Sequence, residues 1–346
     1  MDKITRIFVD TSKHIFYLHG VNAAEQPVLR RKLRRSGFLG FFAKLEPTLV
    51  GLEACGAAHY WARELTALGH TVKLVAPQLI KPYVKRNKND MRDAEAGCEA
   101  MSRPTMRFVP VKSAEEQAVL MLVKMRERLV AARTQLANAI RGHAAEFGLI
   151  AARGLDKIEV LLVRIAEDDS VPALARELFE DLGRDYARLA EELKAIETKL
   201  LLWHRGSAMS RNLAEIPGVG PIGAVMLTMK TPDPKLFRCG RDFAAWMGLT
   251  PKDHSTADRL RLGAITRAGD EALRATLVAG AMAVIQQIRR GRGRAWPWLS
   301  DLVRRKPLKL AAVALANKIA RIAWKLLTTG ELYDPARLGA PAPQAT

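Results

Sequence analysis

The chain has 346 residues, 49% of them apolar, which is enough for two or three domains with hydrophobic cores and excludes a disordered chain. Its net charge of +19 lies at the two ends, because residues 1–114 carry 19 Lys and Arg against 10 Asp and Glu, and residues 205–346 carry 23 against 10. These basic ends predict a polyanionic partner, whereas three scattered cysteines and the lack of a long uncharged apolar run exclude a disulfide framework and a membrane span.

The segment 1–112 alternates between the apolar patterns of strands and of helices. It contains, in chain order, predicted strands at 4–9, 14–21 and 27–33, a helix at 36–45, a strand at 48–52, a helix at 59–68, a strand at 71–76, a helix at 90–101 and a short strand at 106–111. Three strands followed by alternating helices and strands predict an α/β domain with a mixed sheet, in the order of the ribonuclease-H-like fold.

Four carboxylates fall at the ends of these predicted elements. Asp10 and Glu53 each end a strand, whereas Asp90 and Asp93 are three positions apart and therefore share one face of a helix. Carboxylates gathered from two strands and one helix would repel one another unless cations held them together. Two Mg²⁺ ions bridged by such oxygens can activate a nucleophile and stabilise the leaving oxygen of a phosphodiester. The spacing thus predicts a magnesium-dependent nuclease-type site.

The middle of the chain is predicted to be helical. A capping box at Ser113 and Glu116 begins a helix whose apolar residues recur at alternating spacings of three and four, and a second helix repeats this pattern. Both patterns are typical of coiled-coil seams, for which an intramolecular hairpin and a dimerisation surface are equally good explanations. The predicted seam residues are Ala118, Leu122, Met125, Leu129, Ala132, Leu136 and Ala139 in the first helix, and Ala175, Phe179, Leu182, Tyr186, Leu189, Leu193, Ile196 and Leu200 in the second.

The C-terminal part begins with a glycine-rich turn at 215–224 that predicts a hairpin between two helices. Gly218 and Gly220 would let backbone N–H groups approach a phosphate, although a plain tight turn is the alternative. Two long helices are predicted at 270–289 and 307–327, around a cationic linker at 289–294. Two tryptophans follow that linker, at 296 and 298, and we expect them to be buried anchors of the next helix rather than stacking platforms for a base.

A family resemblance runs through nearly the whole chain. It rests on seven segments: VDTSK at 9–13, LEACG at 52–56, KNDMRDAEA at 88–96, RPTMRFVPVK at 103–112, IRG at 140–142, IPGVGP at 216–221 and FAAWMGLTP at 243–251. In this number and order they resemble the DEDD transposases of bacterial insertion sequences, the group of bridge-RNA-guided recombinases.

The resemblance implies an α/β plus all-α architecture in four parts. These are a RuvC-like domain with a ribonuclease-H-type mixed sheet at 1–112, a coiled-coil helical region at 113–205, a helical transposase domain with a helix-hairpin-helix at 206–333, and a disordered tail at 334–346. It also implies a nucleophilic serine in a block of the type His-Ser-Ser/Thr-Gly-Gly. The corresponding block here is 254–258, which makes Ser255 the candidate nucleophile and places Ala257 and Asp258 where the family has glycines.

Three arginines follow Ser255 closely in the chain, Arg259, Arg261 and Arg267. A serine hydroxyl is a poor nucleophile without a base, a metal or a strong local field. Guanidinium groups beside it can neutralise the charge that develops on a phosphate in the transition state. We therefore expect these arginines to bind nucleic acid next to the nucleophile.

The function implied by the resemblance is Mg²⁺-dependent cleavage and exchange of DNA strands by an insertion-sequence transposase. The implied partners are the element ends and target DNA, a structured non-coding guide RNA, and further protomers in a homodimer or homotetramer; no membrane is involved. The expected location is the bacterial cytoplasm, in association with the nucleoid. Two alternatives remain open from the residues alone: a junction-resolving RuvC-like nuclease that uses only the metal site, and a non-catalytic nucleic-acid-binding protein.

Overall fold

The computed structural model describes residues 3–84, 89–256, 259, 261–292 and 296–335. The chain divides into two compact units, Met1–Gln117 and Ala118–Thr346. The boundaries of the four predicted parts stay predictions. The predicted disordered tail lies, from residue 336 onward, outside the described residues, and so do Ala257 and Asp258.

The first unit is a mixed sheet with short helices. Its strands, as described, are β1 (Arg6–Thr11), β2 (Ile15–Val21), β3 (Pro27–Arg34), β4 (Leu49–Glu53), β5 (Thr71–Val75) and β6 (Phe108–Val109). Its helices are α1 (Phe38–Phe42), α2 (Ala58–Ala67), α3 (Pro77–Ile80) and α4 (Asp90–Ala100). The strand order is β3-β2-β1-β4-β5-β6, with β4 parallel to both β1 and β5 and the other pairs antiparallel. This confirms the predicted mixed sheet.

Alternating residues of the central strands enter two separate cores. On one face Ile7 and Phe16 pack with Phe38 of α1 and Trp61 of α2. On the other face Phe8 packs with residues of α4 and α3. Because the side chains of a strand point alternately to its two faces, each strand of the sheet carries one set of residues toward each core.

Two glycines allow α4 to lie close to the sheet. A Cβ on Gly97 of α4 would overlap the ring of Phe8 in β1, and a Cβ on Gly51 of β4 would lie 2.6 Å from both Phe8 and the sulfur of Met101. Only a residue without a side chain permits this contact at either position. The close approach matters because the first turn of α4 carries Asp90 and Asp93 toward the end of β1.

We expect Gly97→Ala to destabilise the first unit by about 1–3 kcal/mol, the usual cost of forcing an extra methyl group into a packed core. The Phe8 ring and α4 would have to separate. Thermal unfolding of the variant should therefore begin at a lower temperature. The matched control is Gly40→Ala, in α1 of the same unit, where an added Cβ meets nothing within 4 Å. Equal stability of the two variants would contradict this account of the contact.

The second unit is built mainly of helices. They are α5 (Ala114–Ala145), which begins in the first unit, then α6 (Lys157–Glu167), α7 (Ala173–Gly206), α8 (Ala208–Ala214), α9 (Pro221–Lys230), α10 (Gly240–Trp246), α11 (Glu271–Arg289), α12 (Pro297–Arg305) and α13 (Leu308–Thr329). A two-stranded antiparallel ribbon, β7 (Pro251–Asp253) and β8 (Leu262–Ile265), lies between α10 and α11 in the chain. The largest core joins the ends of α5 and α7 to α8–α13.

The predicted seam of α7 is confirmed as its buried face, since six of its eight residues are buried and the other two are half-buried. The predicted seam of α5 is confirmed in part: Leu129 is buried and Leu122, Ala132 and Leu136 are half-buried in the core, whereas Ala118, Met125 and Ala139 are exposed. Other residues of α5 that are buried, such as Val119 and Val123, lie outside the predicted seam.

Helices α5 and α7 pack against each other within the chain. Arg126 of α5 forms an ion pair with Glu197 of α7 at 2.8 Å, and the guanidinium of Arg133 lies 5.0 Å from the centre of the Tyr186 ring. The intramolecular hairpin is therefore observed. A dimerisation surface on these helices stays a prediction.

Candidate functional site

The end of β1 and the first turn of α4 bring three carboxylates together. One oxygen each from Asp10, Asp90 and Asp93 lies within 4.8 Å of the others. Within the described part of the chain this is the one group of three or more His, Cys, Asp or Glu side chains that could hold a metal ion. Asn89 is the N-cap of α4, because its side-chain oxygen accepts a hydrogen bond from the backbone N–H of Met91 at 3.0 Å. This cap fixes the first turn, where both aspartates lie.

Glu53 ends the strand next to β1 but does not belong to the group of three. Parallel pairing joins Val9 to Leu52, and one further step along both strands places Asp10 beside Glu53. Neighbouring strands are about 4.8 Å apart, so the two backbones are close. The structure thus brings together three of the four predicted carboxylates, and it places the fourth at the neighbouring strand end.

The donor set of this carboxylate group suits a hard divalent cation, whose preferred ligands are carboxylate oxygens. Asp10 and Asp93 are half-buried and Asp90 is exposed, so solvent can reach the group. Two like charges about 4 Å apart repel by about 1 kcal/mol in bulk water, and by about 4 kcal/mol near a protein surface. A bound cation would replace this repulsion by attraction, and the three residues therefore fit a metal.

Ser255 lies in the second unit, shortly after β7 and exposed to solvent. Its backbone N–H donates to Oδ1 of Asp253 at 2.8 Å, and its Oγ accepts the backbone N–H of Arg261 at 3.0 Å. Hydrogen bonding to Ser255 holds the pKa of Asp253 below its ordinary value. The hydroxyl therefore has a fixed position in the ribbon and an ionised carboxylate two positions away.

The three arginines predicted to bind nucleic acid are exposed on or after the same ribbon. Arg261 reaches Ser255 through its backbone, and the backbone N–H of Arg259 donates to the carbonyl of Thr256 at 3.1 Å. Arg267 has a φ of +57°, a backbone conformation uncommon for a residue with a side chain, and its N–H donates to the carbonyl of Gly248. Binding of nucleic acid by these arginines stays a prediction.

Buried charges anchor the segment that follows the ribbon. Lys230 at the end of α9 contacts both Asp270, which caps α11, and Glu127 of α5. Burial by itself would raise the pKa of Asp270, but hydrogen bonds from Lys230 and from the Leu273 N–H hold it below its ordinary value. Arg274, also buried, donates to the carbonyl of Ala268 at 2.7 Å. The contacts of Lys230 join helices that are far apart in the chain, and no local pattern predicts them.

The glycine-rich turn joins α8 to α9, which agrees with the predicted hairpin between two helices; its assignment as a helix-hairpin-helix stays a prediction. Gly218 in the turn has a φ of +89°, and a Cβ there would lie 3.1 Å from the backbone of Gly280 in α11 and from Ile319 of α13. Close packing therefore accounts for Gly218. Gly220 is exposed and precedes the first residue of α9. Phosphate binding by these two glycines stays a prediction.

The two tryptophans after the cationic linker differ in environment. Trp296 is buried in the core of the second unit and precedes α12, as predicted for an anchor. Trp298 is 41% exposed, with the ammonium of Lys318 4.8 Å from its ring centre, so the expectation that both are buried is wrong. Trp296 also borders a groove of about 390 Å³ between the hairpin turn and α11.

Comparison with known proteins gives two family matches and several similar chains. A DEDD-type model described as "Transposase" matches residues 9–147, and a model described as "Transposase IS116/IS110/IS902 family" matches residues 210–295. A provisionally named transposase of Sinorhizobium fredii, y4pF/y4sB, is 63% identical over 97% of this chain and 87% of its own length. The chain belongs to the IS110 family of transposases.

Two further relatives of this IS110-family transposase cover almost their whole length. A provisionally named family 20 transposase of Pseudomonas aeruginosa is 47% identical over 96% of this chain and 99% of its own length. The transposase for insertion sequence element IS1328 of Yersinia enterocolitica is 36% identical over 96% of this chain and 100% of its own length.

The chain is thus an insertion-sequence transposase, an enzyme that acts on DNA. The first match contains all four predicted carboxylates, and the second contains Ser255 and the hairpin glycines. Among the described helices, none combines the length and the apolar character that crossing a membrane requires.

Proposed function

We propose that this transposase cleaves DNA with a metal held by Asp10, Glu53, Asp90 and Asp93, and exchanges strands through Ser255. The observation that carries the proposal is that three of these carboxylates lie within 4.8 Å of one another, at the carboxyl end of β1, an interior strand of the mixed sheet. Family membership supplies the reaction class, and the residues supply the groups that would carry it out.

The metal we propose is Mg²⁺. Hard oxygen donors, two of them half-buried and one exposed, are what such an ion accepts while it keeps water or substrate in its remaining positions. When bound, it would polarise the scissile phosphate and stabilise the leaving oxygen. The carboxylates themselves would hold the ion near the end of β1. Glu53 on β4 would complete the set from the neighbouring strand.

We propose Ser255 as the nucleophile of the strand exchange. As its hydroxyl gives up its proton to the surrounding water and Oγ forms a bond to phosphorus, the bond from phosphorus to the leaving deoxyribose oxygen breaks, and that oxygen takes up a proton from water. The phosphoserine link conserves the energy of the phosphodiester, so a new DNA hydroxyl can displace the serine without ATP. The exposed Arg259, Arg261 and Arg267 would bind the phosphate and its developing charge.

The partners we propose are element and target DNA, a structured guide RNA and other protomers. The net positive charge of both ends of the chain supports nucleic-acid binding, and the resemblance to guided recombinases supports the RNA. In a homodimer or homotetramer, the metal site of one protomer would act together with the serine of another. The proposed location is the bacterial cytoplasm, on the nucleoid.

The proposal is tested with the full chain, DNA carrying an element end, the RNA transcribed beside the element, and Mg²⁺. A denaturing gel with labelled DNA should show a protein–DNA adduct that requires the metal. Nicked DNA without any adduct would instead support the metal-only nuclease. Binding without either product would support a non-catalytic nucleic-acid-binding protein.

A further inference from the structure

A row of side chains leads from the carboxylate group across the sheet to its free edge. Residues directly opposite each other in antiparallel strands project from the same face of the sheet. Asp10 of β1 pairs with Tyr17 of β2, and Tyr17 pairs with Lys32 of β3. These three residues therefore share the face that carries the carboxylate group. Two inter-strand spacings, roughly 10 Å in total, separate β1 from β3.

Strand β3 presents cations to this same face. Arg30, Lys32 and Arg34 are alternate residues of the strand and all are exposed, so they project from one side. Arg30 forms an ion pair at 3.5 Å with Glu95 of α4, the helix that also carries Asp90 and Asp93. This contact independently places the three cations on the metal side of the sheet.

Lys32 and Arg34 have no carboxylate within ion-pair distance among the residues that the structure describes. The Lys32 ammonium instead lies 5.6 Å from the centre of the half-buried Tyr17 ring. Lysine on an edge strand can also serve to prevent edge-to-edge aggregation of sheets. That role would not by itself explain why an acidic and an aromatic residue stand in the same row as the lysine. Here Tyr17 and Lys32 form one row with Asp10 of the proposed cleavage site, and Arg34 lies two residues from Lys32 on the same face of β3.

We propose that Tyr17, Lys32 and Arg34 form a track that holds the DNA strand as it leaves the carboxylate group. Lys32 and Arg34 would contact phosphates beside the scissile one, and the Tyr17 ring would support a sugar or a base. They are positioning residues, because they fix the strand without contacting the reacting atoms. This inference rests on the proposed function, since it takes the carboxylate group as the place of cleavage.

The opposite face of the same segment offers a matched control. Arg31 stacks over Phe41 of α1 at 5.0 Å, and Arg35 stacks over Trp61 of α2 at 4.8 Å. Both are exposed and lie next to Lys32 and Arg34 in the chain. Replacing Arg31 and Arg35 by glutamine removes as many positive charges from this stretch as replacing Lys32 and Arg34 does. Only the second replacement changes the proposed track.

The experiment measures binding of the full chain to fluorescent single-stranded element-end DNA, without metal, over a range of salt concentrations. The double variant Lys32→Gln/Arg34→Gln should bind at least tenfold more weakly, and its salt slope should be smaller by about 1.4, or about 0.7 for each lost phosphate contact. The double variant Arg31→Gln/Arg35→Gln should stay within about twofold of the unaltered chain. Tyr17→Ala should weaken binding at least about fivefold, whereas Tyr17→Phe should not.

Equal losses in both double variants would overturn the track and leave only general electrostatic attraction. A loss of affinity for the element RNA, with DNA affinity unchanged, would overturn it in favour of an RNA surface. Because binding is measured without metal or cleavage, these outcomes are independent of the proposed chemistry. If the carboxylate variants cleave DNA normally while the track variants bind DNA more weakly, the proposed function is contradicted and the track is not.

Discussion

Replacing Asp10 by asparagine is expected to lower the rate of DNA strand cleavage about 1,000-fold or more. The half-buried carboxylate of Asp10 is the one ligand that β1 contributes to the group of three. An amide removes its negative charge and with it much of the attraction for a divalent cation. A metal ion supplies several kcal/mol of transition-state stabilisation, and each loss of about 1.4 kcal/mol slows the reaction tenfold. Cleavage of labelled element-end DNA, followed in time, measures the effect.

The matched control for this first prediction is Glu99→Gln, which removes one acidic charge from α4 outside the carboxylate group. Glu99 is paired with Arg103 at 2.7 Å on the surface, and such exposed pairs contribute at most about 1 kcal/mol. This control should therefore cleave DNA at nearly the normal rate. Normal cleavage by Asp10→Asn would contradict the metal site.

A stability measurement separates loss of metal from loss of fold. Without metal, Asp10→Asn should still show the thermal unfolding transition of the first unit, because asparagine has nearly the same size and shape as aspartate. Added Mg²⁺ or Mn²⁺ should raise the unfolding temperature of the unaltered chain, since a ligand that binds only the folded state stabilises it. The same metal should raise the unfolding temperature of Asp10→Asn much less.

Replacing Ser255 by alanine is expected to abolish the covalent protein–DNA adduct while the affinity for DNA stays within about twofold. Alanine lacks the oxygen that would bond to phosphorus, so the variant cannot form the phosphoserine link. The variant also loses the contact between Oγ and the Arg261 N–H, a neutral hydrogen bond in an exposed ribbon that contributes about 1 kcal/mol. A denaturing gel of DNA incubated with the variant and Mg²⁺ checks the result.

Two further variants separate the chemical role of Ser255 from its structural one. Ser255→Asn keeps a side-chain oxygen that can accept the Arg261 N–H, yet it should form no adduct. Thr256→Ala removes the neighbouring hydroxyl and should form the adduct normally. If Ser255→Ala still forms an adduct, another residue must be the nucleophile. If Ser255→Ala still nicks DNA, and if the unaltered chain also forms no adduct, the metal-only nuclease would be favoured.

The two catalytic variants also test the proposed oligomer. Mixed protomers of Asp10→Asn and Ser255→Ala should together recover part of the activity that each lacks alone, provided that the metal site of one protomer acts with the serine of its partner. No recovery in mixed oligomers would mean that both groups act within one chain. This comparison requires that the two variants exchange protomers before DNA is added.

Much of the architecture follows from local patterns in the sequence. The apolar runs of β1 and β2 and the heptad spacing of α7 are visible without any partner, because each pattern lies within a single element. The candidate metal site follows almost as directly. Asp90 and Asp93 must share a helical face, and Asp10 and Glu53 each end a strand, so the predicted α/β order already brings their elements to one edge. The local pattern did not indicate α6, and α10, α12 and the two strands of the ribbon are too short for such periodicity to indicate them.

Other features depend on contacts between residues far apart in the chain, and only the tertiary structure decides them. The buried face of α5 depends on the helices that pack against it, and the need for Gly218 arises from the backbone of Gly280, which belongs to a different helix. The row from Asp10 through Tyr17 to Lys32 exists only because two strand pairings align these residues. The sequence by itself therefore determined the family, most of the elements and the candidate chemical groups. Packing and strand register decided which faces those groups share, since both arise from distant parts of the chain meeting in space.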